Sequence, residues 1–147
     1  MAQAEHLVID GYNVIHAWHS YLPNCPPHHP AKINALAERI RIIHDFGGVR
    51  TTLVFDGKGR QIDIQRPCKS LSFSLLFTPA GMSADCFIEQ LTATSVSPQN
   101  MTIVTQDTMI RETVTALGAL CLSPGSLDQR IIHCEKQLSA HLQRRCL

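Results

Sequence analysis

The sequence predicts an α/β fold, a mainly parallel sheet covered by helices on both faces, and three observations predict it. Short apolar runs alternate with longer amphipathic ones along the 147 residues, as in a chain of βα units. The short runs are hydrophobic almost throughout, as strands covered on both sides are. Three of them end in aspartate: "LVID" (Leu7 to Asp10), "TLVFD" (Thr52 to Asp56) and "TIVTQD" (Thr102 to Asp107). One such ending is chance. Three suggest carboxylates gathered along one edge of a sheet.

The elements follow in order. Strands are expected at Leu7–Ile9, Thr51–Phe55, Leu71–Phe77, Met101–Thr105 and Ala119–Leu122. The stretch from Trp18 to Pro30, with "LPNCPPHHP", reads as a proline-rich loop. In "PAKINALAERIRIIHDFGG" the residues Ile33, Leu36, Ala37, Ile40 and Ile43 form one helical stripe, with Pro30 in the first turn and Gly47–Gly48 as the stop. "SADCFIEQLTAT" opens with Ser83 as a helix cap and places Phe87, Ile88 and Leu91 inward. "DTMIRETVTALG" places Ile110, Val114 and Leu117 inward and stops at Gly118. "SLDQRIIHCEKQLSAHL" supplies a last helix with Leu127, Ile131, Cys134 and Leu138 on one side. The expected order is β-α-β-β-α-β-α-β-α.

Composition bounds the function. Hydrophobic residues at 44% and charged residues at 17% describe one soluble globular domain over residues 1–147. The net charge of +1 gives no global pull toward nucleic acid, so any such surface is local. No apolar run approaches the ~20 residues that span a bilayer, and the N-terminus lacks a secretory pattern, so a cytoplasmic protein is expected. The six cysteines form no CxxC pair and read as reduced, small apolar fillers. His16, His19, Cys25, His28 and His29 cluster in sequence, but their spacing matches no standard zinc finger, so a solvated loop is the simpler reading. There is no P-loop, no GxGxxG after the first strand and no GxSxG elbow. "IDGYN" also lacks the second aspartate of phosphoaspartyl phosphatases.

The acids are the informative residues. Asp10, Asp56 and Asp107 sit where a strand gives way, at the edge where open α/β sheets bind ligands. Asp85 and Glu89, four apart, share one helix face. So many carboxylates in one crevice must protonate or be neutralised by a cation. Oxygen-only donors favour Mg²⁺ or Mn²⁺, ions that support phosphodiester hydrolysis. Taken singly, each strand-end aspartate is better read as a turn former or helix cap, and "DGKG" after Phe55 is also an ordinary turn. Asp45, Asp63 and Asp128 do not end apolar strands and read as surface residues or caps.

Together "LVIDGYNVIHAW", "LVFDG", "SADCFIEQL" and "VTQDTMI" resemble the NYN domain family, specifically its YacP-like branch, relatives of the PIN-domain nucleases. The likeness runs from Leu7 to about Leu122. It implies a PIN-like three-layer α/β/α sandwich and metal-dependent ribonuclease activity. By motif, Asp10 is then the first-strand acid, Asn13 the polar residue of the DGYN loop, and Asp56 the acid closing the VFD strand. Asp85 and Glu89 match the ADxxIE pair, and Asp107 matches the acid after the fourth strand. Cys86 stands where this branch often has a further acid, and Gln106 where it has a small hydroxyl residue.

Two functional classes follow. One is a metal-dependent endoribonuclease acting on single-stranded or ribosome-associated RNA, with Asp10, Asp56, Asp85, Glu89 and Asp107 around the ion. Asn13 would position phosphate or water, and Lys58 and Arg60, with Arg66 and Lys69, would form a basic rim for the RNA backbone. The alternative is an RNA- or ribosome-associated binding module with the same fold and weak or no catalysis, a reading motivated by Cys86. The acids alone also admit a metal-dependent phosphatase. Tyr12 and Trp18 are candidates for stacking on bases, although a lone aromatic is more often packed.

Overall fold

The computed structural model describes residues 4–146, so Met1 to Gln3 of the N-terminal stretch discussed above, and Leu147, lie outside the described residues. The strands are β1 (His6–Asp10), β2 (Arg50–Phe55), β3 (Asp63–Gln65), β4 (Phe73–Phe77), β5 (Met101–Val104) and β6 (Leu120–Leu122). The helices are α1 (Gly11–Ala17), α2 (Pro30–Asp45), α3 (Ala84–Thr94), α4 (Thr108–Ala116) and α5 (Pro124–Cys146), with single 3₁₀ turns at His19–Tyr21 and Pro98–Asn100.

The sheet order is β3-β4-β2-β1-β5-β6. Every pairing is parallel except β3 with β4. The first strand is therefore central, with Asp10 opposite Val54 of β2 and Ile9 opposite Val104 of β5. Alternate residues of the inner strands feed two separate cores. Leu7, Ile9, Leu53, Phe55, Phe73 and Leu75 pack with residues of α1, α2 and α5 on one face. Val8, Val54, Leu76 and Ile103 pack with residues of α3 and α4 on the other. This is an α/β/α sandwich, and the unbroken hydrophobicity of the strands is the price of two covered faces.

Local chemistry explains the helix ends. Pro30 opens α2, and the His29 ring accepts from Ala31 N at 3.1 Å. The expected stripe of Ile33, Leu36, Ala37, Ile40 and Ile43 is buried. Gly48, at φ +68°, turns the chain out after the helix, in a region that glycine enters without strain. Ser83 caps α3 by accepting from Cys86 N at 3.1 Å.

Several expectations are corrected. The segment after Asp10 is a seven-residue helix, so Asn13 sits in its first turns rather than in a loop. The β3 strand was not expected, because "DIQ" is exposed at all three positions and carries no apolar pattern. Leu71 is 80% exposed and β4 starts only at Phe73, while Leu117 lies past the end of α4 and is 38% exposed. Of the cysteines only Cys134 is a buried filler; Cys86 and Cys146 are exposed, and Cys25, Cys68 and Cys121 are half-buried. Among the described residues, no helix is long and apolar enough to cross a membrane.

Candidate active site

At the carboxyl ends of β1 and β5 the chain leaves in opposite directions. From β1 it enters α1, which packs into the core shared with α2 and α5. From β5 it enters α4, which packs into the core shared with α3. Adjacent parallel strands whose connections diverge to opposite faces open a crevice between them. Asp10 lies at this point.

Asp10 is the residue before α1, yet its side chain makes no capping hydrogen bond to the helix. It is 7% exposed. Its carboxyl pKa is pushed up to about 7, first by burial, then by the charge of Asp85 and a hydrogen bond shared with it, and further by the charge of Asp56. Thr105 works the other way: its Oγ1 donates to Asp10 Oδ2 at 3.4 Å. Two carboxyls can share a hydrogen bond only when one holds a proton, so Asp10 and Asp85 act as a pair. Asp85 comes from the first turn of α3, which brings it in from the rear layer.

The other acids are placed differently. Asp107 caps α4, with one carboxylate oxygen accepting from Met109 N at 2.9 Å and from Ile110 N at 3.3 Å. Its own N–H donates to Thr105 Oγ1 at 3.1 Å. Thr105, fully buried, thus links Asp10 to Asp107. Asp56 is exposed and accepts from Ala84 N at 2.7 Å, tying the end of β2 to the start of α3. Glu89 lies one turn after Asp85 and is half-buried. Cys86 is exposed, and its sulfur accepts from Gln90 Nε2 at 3.6 Å. Asn13 reaches across the crevice, its Oδ1 accepting from Gln106 N at 2.8 Å.

Sequence reasoning passed over two hydroxyls. Thr105 stands two residues before Asp107, and of that pair the motif marks only the aspartate. Thr78, also fully buried, donates to Met82 O at 2.7 Å and accepts from Gly57 N at 3.2 Å, bracing the loops around Asp56. The signal for both was a threonine just beyond an apolar strand, where a side chain reaches the loops at the crevice.

The glycine of "DGYN" has a steric reason. A Cβ on Gly11 would lie 2.2 Å from Phe55 Cε1, so only glycine lets the chain turn from β1 into α1 over that ring. Phe55 in turn stacks on Phe77 at 5.2 Å and meets Tyr12 edge-on at 5.1 Å. Trp18 is 2% exposed, which removes it as a base-stacking platform. Lys58 and Arg60 are exposed on the loop after β2. Lys58 borders a shallow cleft of about 280 Å³ that Gly57, Gln61, Phe77 and Thr78 also line.

Among the described residues, one set of three His, Cys, Asp or Glu side chains brings its ligand atoms within 4.8 Å of one another, and it lies outside this crevice, at His44, Asp45 and Cys68. The crevice acids are spread more widely than that, with Asp10 and Asp85 in contact. The histidines of the Trp18–Pro30 stretch form no such set.

The fold is shared with solved structures. A tryptophan-to-leucine variant of Rae1 (YacP) from Bacillus subtilis matches with a TM-score of 0.74 at 21% identity, over 97% of this chain and 84% of that one. A second structure of Rae1 (YacP) from Bacillus subtilis matches with a TM-score of 0.73 at 23% identity, over 95% of this chain and 80% of that one. No curated protein matches. The YacP-like NYN domain model matches residues 7–146, so this chain belongs to the YacP-like NYN domain family, a PIN-like domain of the nuclease type.

Proposed function

We propose that this chain is a metal-dependent endoribonuclease that hydrolyses RNA phosphodiester bonds in the crevice between β1 and β5. The Asp10–Asp85 pair carries the reading. A buried carboxyl there holds its proton up to about pH 7, and the charges that act on it are two further carboxylates, with no cationic side chain among them. Crowded carboxylates without a counter-cation fit a divalent ion, and oxygen-only donors suit Mg²⁺ or Mn²⁺. Asp10, Asp85 and Asp107 would hold the ion, with Glu89 and Asp56 beside them. The ion would supply neutralisation of phosphate charge and activation of water.

The chain's own groups have distinct tasks in this reading. Thr105 orients Asp10 and fixes the backbone of Asp107. Asn13 spends its carbonyl oxygen on Gln106 and keeps its amide N–H groups for a phosphate oxygen. Lys58 and Arg60 attract the RNA backbone from an exposed loop. Single-stranded or ribosome-associated RNA in the cytoplasm is the substrate this reading favours.

The test is cleavage of an end-labelled single-stranded RNA with Mg²⁺ or Mn²⁺, with and without chelator. Wild type should cleave only with the ion. Asp10→Asn and Asp85→Asn should each lose about a hundredfold in rate or more, equivalent to roughly 3 kcal/mol of transition-state stabilisation. RNA binding without cleavage by wild type in either ion would replace this reading with the binding module. Cleavage indifferent to chelator would remove the metal from it.

A further inference from the structure

A second cluster lies at the opposite edge of the sheet. His44 and Asp45 end α2, and Cys68 lies in the loop between β3 and β4. The neighbouring Ser72 accepts from Thr51 N at 2.8 Å, where β2 begins, so this is the amino-terminal edge of β2 and β4. The acid crevice occupies the carboxyl-terminal edge. We propose that His44, Asp45 and Cys68 form a binding site for a borderline-soft divalent ion of the Zn²⁺ type, which clamps the β3–β4 loop to the end of α2.

The donor set is one nitrogen, one oxygen and one sulfur, the mixture that zinc accepts and magnesium does not. The three ligand atoms already lie within 4.8 Å of one another. A tetrahedral ion with bonds of about 2.0–2.3 Å sets its donors about 3.5 Å apart, so closing the site needs side-chain movement and no refolding. Three protein donors leave the fourth position to water, which the exposure of Asp45 allows.

The hydrogen bonds around the cluster support the ring in the required form. His44 Nδ1 lies 2.8 Å from Asp45 Oδ1, and Nε2 lies 2.7 Å from Ser72 Oγ. With the ion on Nδ1, the Cys68 thiol proton leaves to solvent and the neutral imidazole shifts its one ring proton from Nδ1 to Nε2. The imidazole then carries its proton on Nε2 and donates it to Ser72 Oγ. Ser72 passes its own hydrogen on to Ser70 Oγ, 2.8 Å away. A metal-bound histidine is commonly oriented by such an acceptor on its second nitrogen. Arg41 Nε donates to Asp45 Oδ2 at 2.9 Å, which leaves Oδ1 as the oxygen that faces the ion. The guanidinium charge opposes the incoming cation, so a moderate affinity is expected. The loop itself is held in an unusual shape next to the cysteine: Lys69 has φ 60°, and among the described residues it is the one non-glycine residue with positive φ.

Co²⁺ titration into chelator-stripped, reduced protein tests the site. A thiolate-to-cobalt charge-transfer band should appear, should vanish on adding Zn²⁺, and should be absent in Cys68→Ser while persisting in Cys25→Ser and Cys86→Ser. Zn²⁺ should raise the melting temperature of wild type more than that of Cys68→Ser, which lacks the thiolate and keeps the carboxylates of the crevice for the ion. A measurement on unaltered protein guards against a variant that does not fold. With Zn²⁺ at ten times its dissociation constant, metal-free Cys68 falls to about a tenth, so alkylation of Cys68 by iodoacetamide should slow about tenfold while that of exposed Cys86 does not change. No charge-transfer band at millimolar-order Co²⁺, a band that survives Cys68→Ser, or alkylation of Cys68 unaffected by Zn²⁺ would each overturn the proposal. None of these readouts depends on RNA cleavage, so the site stands or falls apart from the nuclease reading.

Discussion

Replacing Asp10 with asparagine should stabilise the metal-free protein at neutral and alkaline pH. In the unfolded chain Asp10 ionises with a pKa of 3.8, and in the fold at about 7. A group whose pKa is raised by folding contributes its full stability below the unfolded value and loses it as pH rises through the folded value. Asp10 therefore costs nothing at pH 3.5 and its full penalty above pH 7. A shift of about three units corresponds to roughly 4 kcal/mol, and the proton shared with Asp85 brings the expected gain to about 2–4 kcal/mol. Asparagine imitates the protonated acid: its oxygen can still accept from Thr105, and its N–H can donate to Asp85. The assay is urea unfolding in chelator from pH 4 to pH 8, followed by the fluorescence of Trp18, the chain's one tryptophan, which is buried beside α1. The variant should match wild type near pH 4 and exceed it progressively up to pH 8, where its melting temperature should be higher by about 5–15 °C. A variant less stable than wild type at pH 8, or a difference that does not change with pH, would refute the reasoning and make Asp10 a structural hydrogen-bond hub.

Asp107 should behave in the opposite sense, because it caps α4: Asp107→Ala should lose about 1 kcal/mol in urea unfolding, and Asp107→Asn, which can still cap, should lose little. Gly11→Ala should cost about 1–3 kcal/mol, since its new methyl group overlaps the Phe55 ring, and a melt of the purified variant measures this. His6, bonded to Thr52 Oγ1, has its pKa lowered to about 4, chiefly by burial and then by Arg50. The unfolded chain takes up this proton near 6.5 and the fold resists until about 4, so stability falls as pH drops through that window. Solvent screening of this half-buried ring limits the loss to about 1–2 kcal/mol, and His6→Gln should flatten that part of the pH profile.

The parts of the fold that the sequence discloses are those written in hydrophobic pattern. The strands β1, β2, β4 and β5 and the helices α2, α3 and α5 each bury a run or stripe of side chains, and a buried stripe leaves a period. The helix α1 has only seven residues and starts directly from a strand, and the Asp10 side chain at its N-cap makes no capping hydrogen bond to it. The β3 strand owes its existence to pairing with β4, a contact distant from anything local in "DIQ". The acids show the same division. Motif order brings Asp10 and Asp85 together on paper, and they meet in the fold. What each neighbouring aspartate does with its oxygens is decided by backbone N–H groups that the sequence does not locate. Asp107 binds the start of its own helix, and Asp56 binds the start of a helix 28 residues further along. Thr105 and Thr78 gain their roles from loops that meet over them, which no spacing rule reveals.

The central position of the first strand has a consequence during synthesis. Residues 6–10 leave the ribosome before either of their two sheet neighbours, which begin at Arg50 and Met101. At roughly 5–20 residues per second, β5 follows β1 by about 5–20 seconds, and until then one edge of β1 has no native partner. During that interval Asp10 has neither Thr105 nor the Asp107 loop beside it. A nascent chain is therefore assembled around a strand that waits, and a chain truncated before residue 100 should be a far better client for a chaperone than the finished protein. The delay also keeps the acid crevice incomplete while the message that encodes it is still being read, so that whatever chemistry the crevice performs starts only after the segment carrying Thr105 and Asp107 has been made.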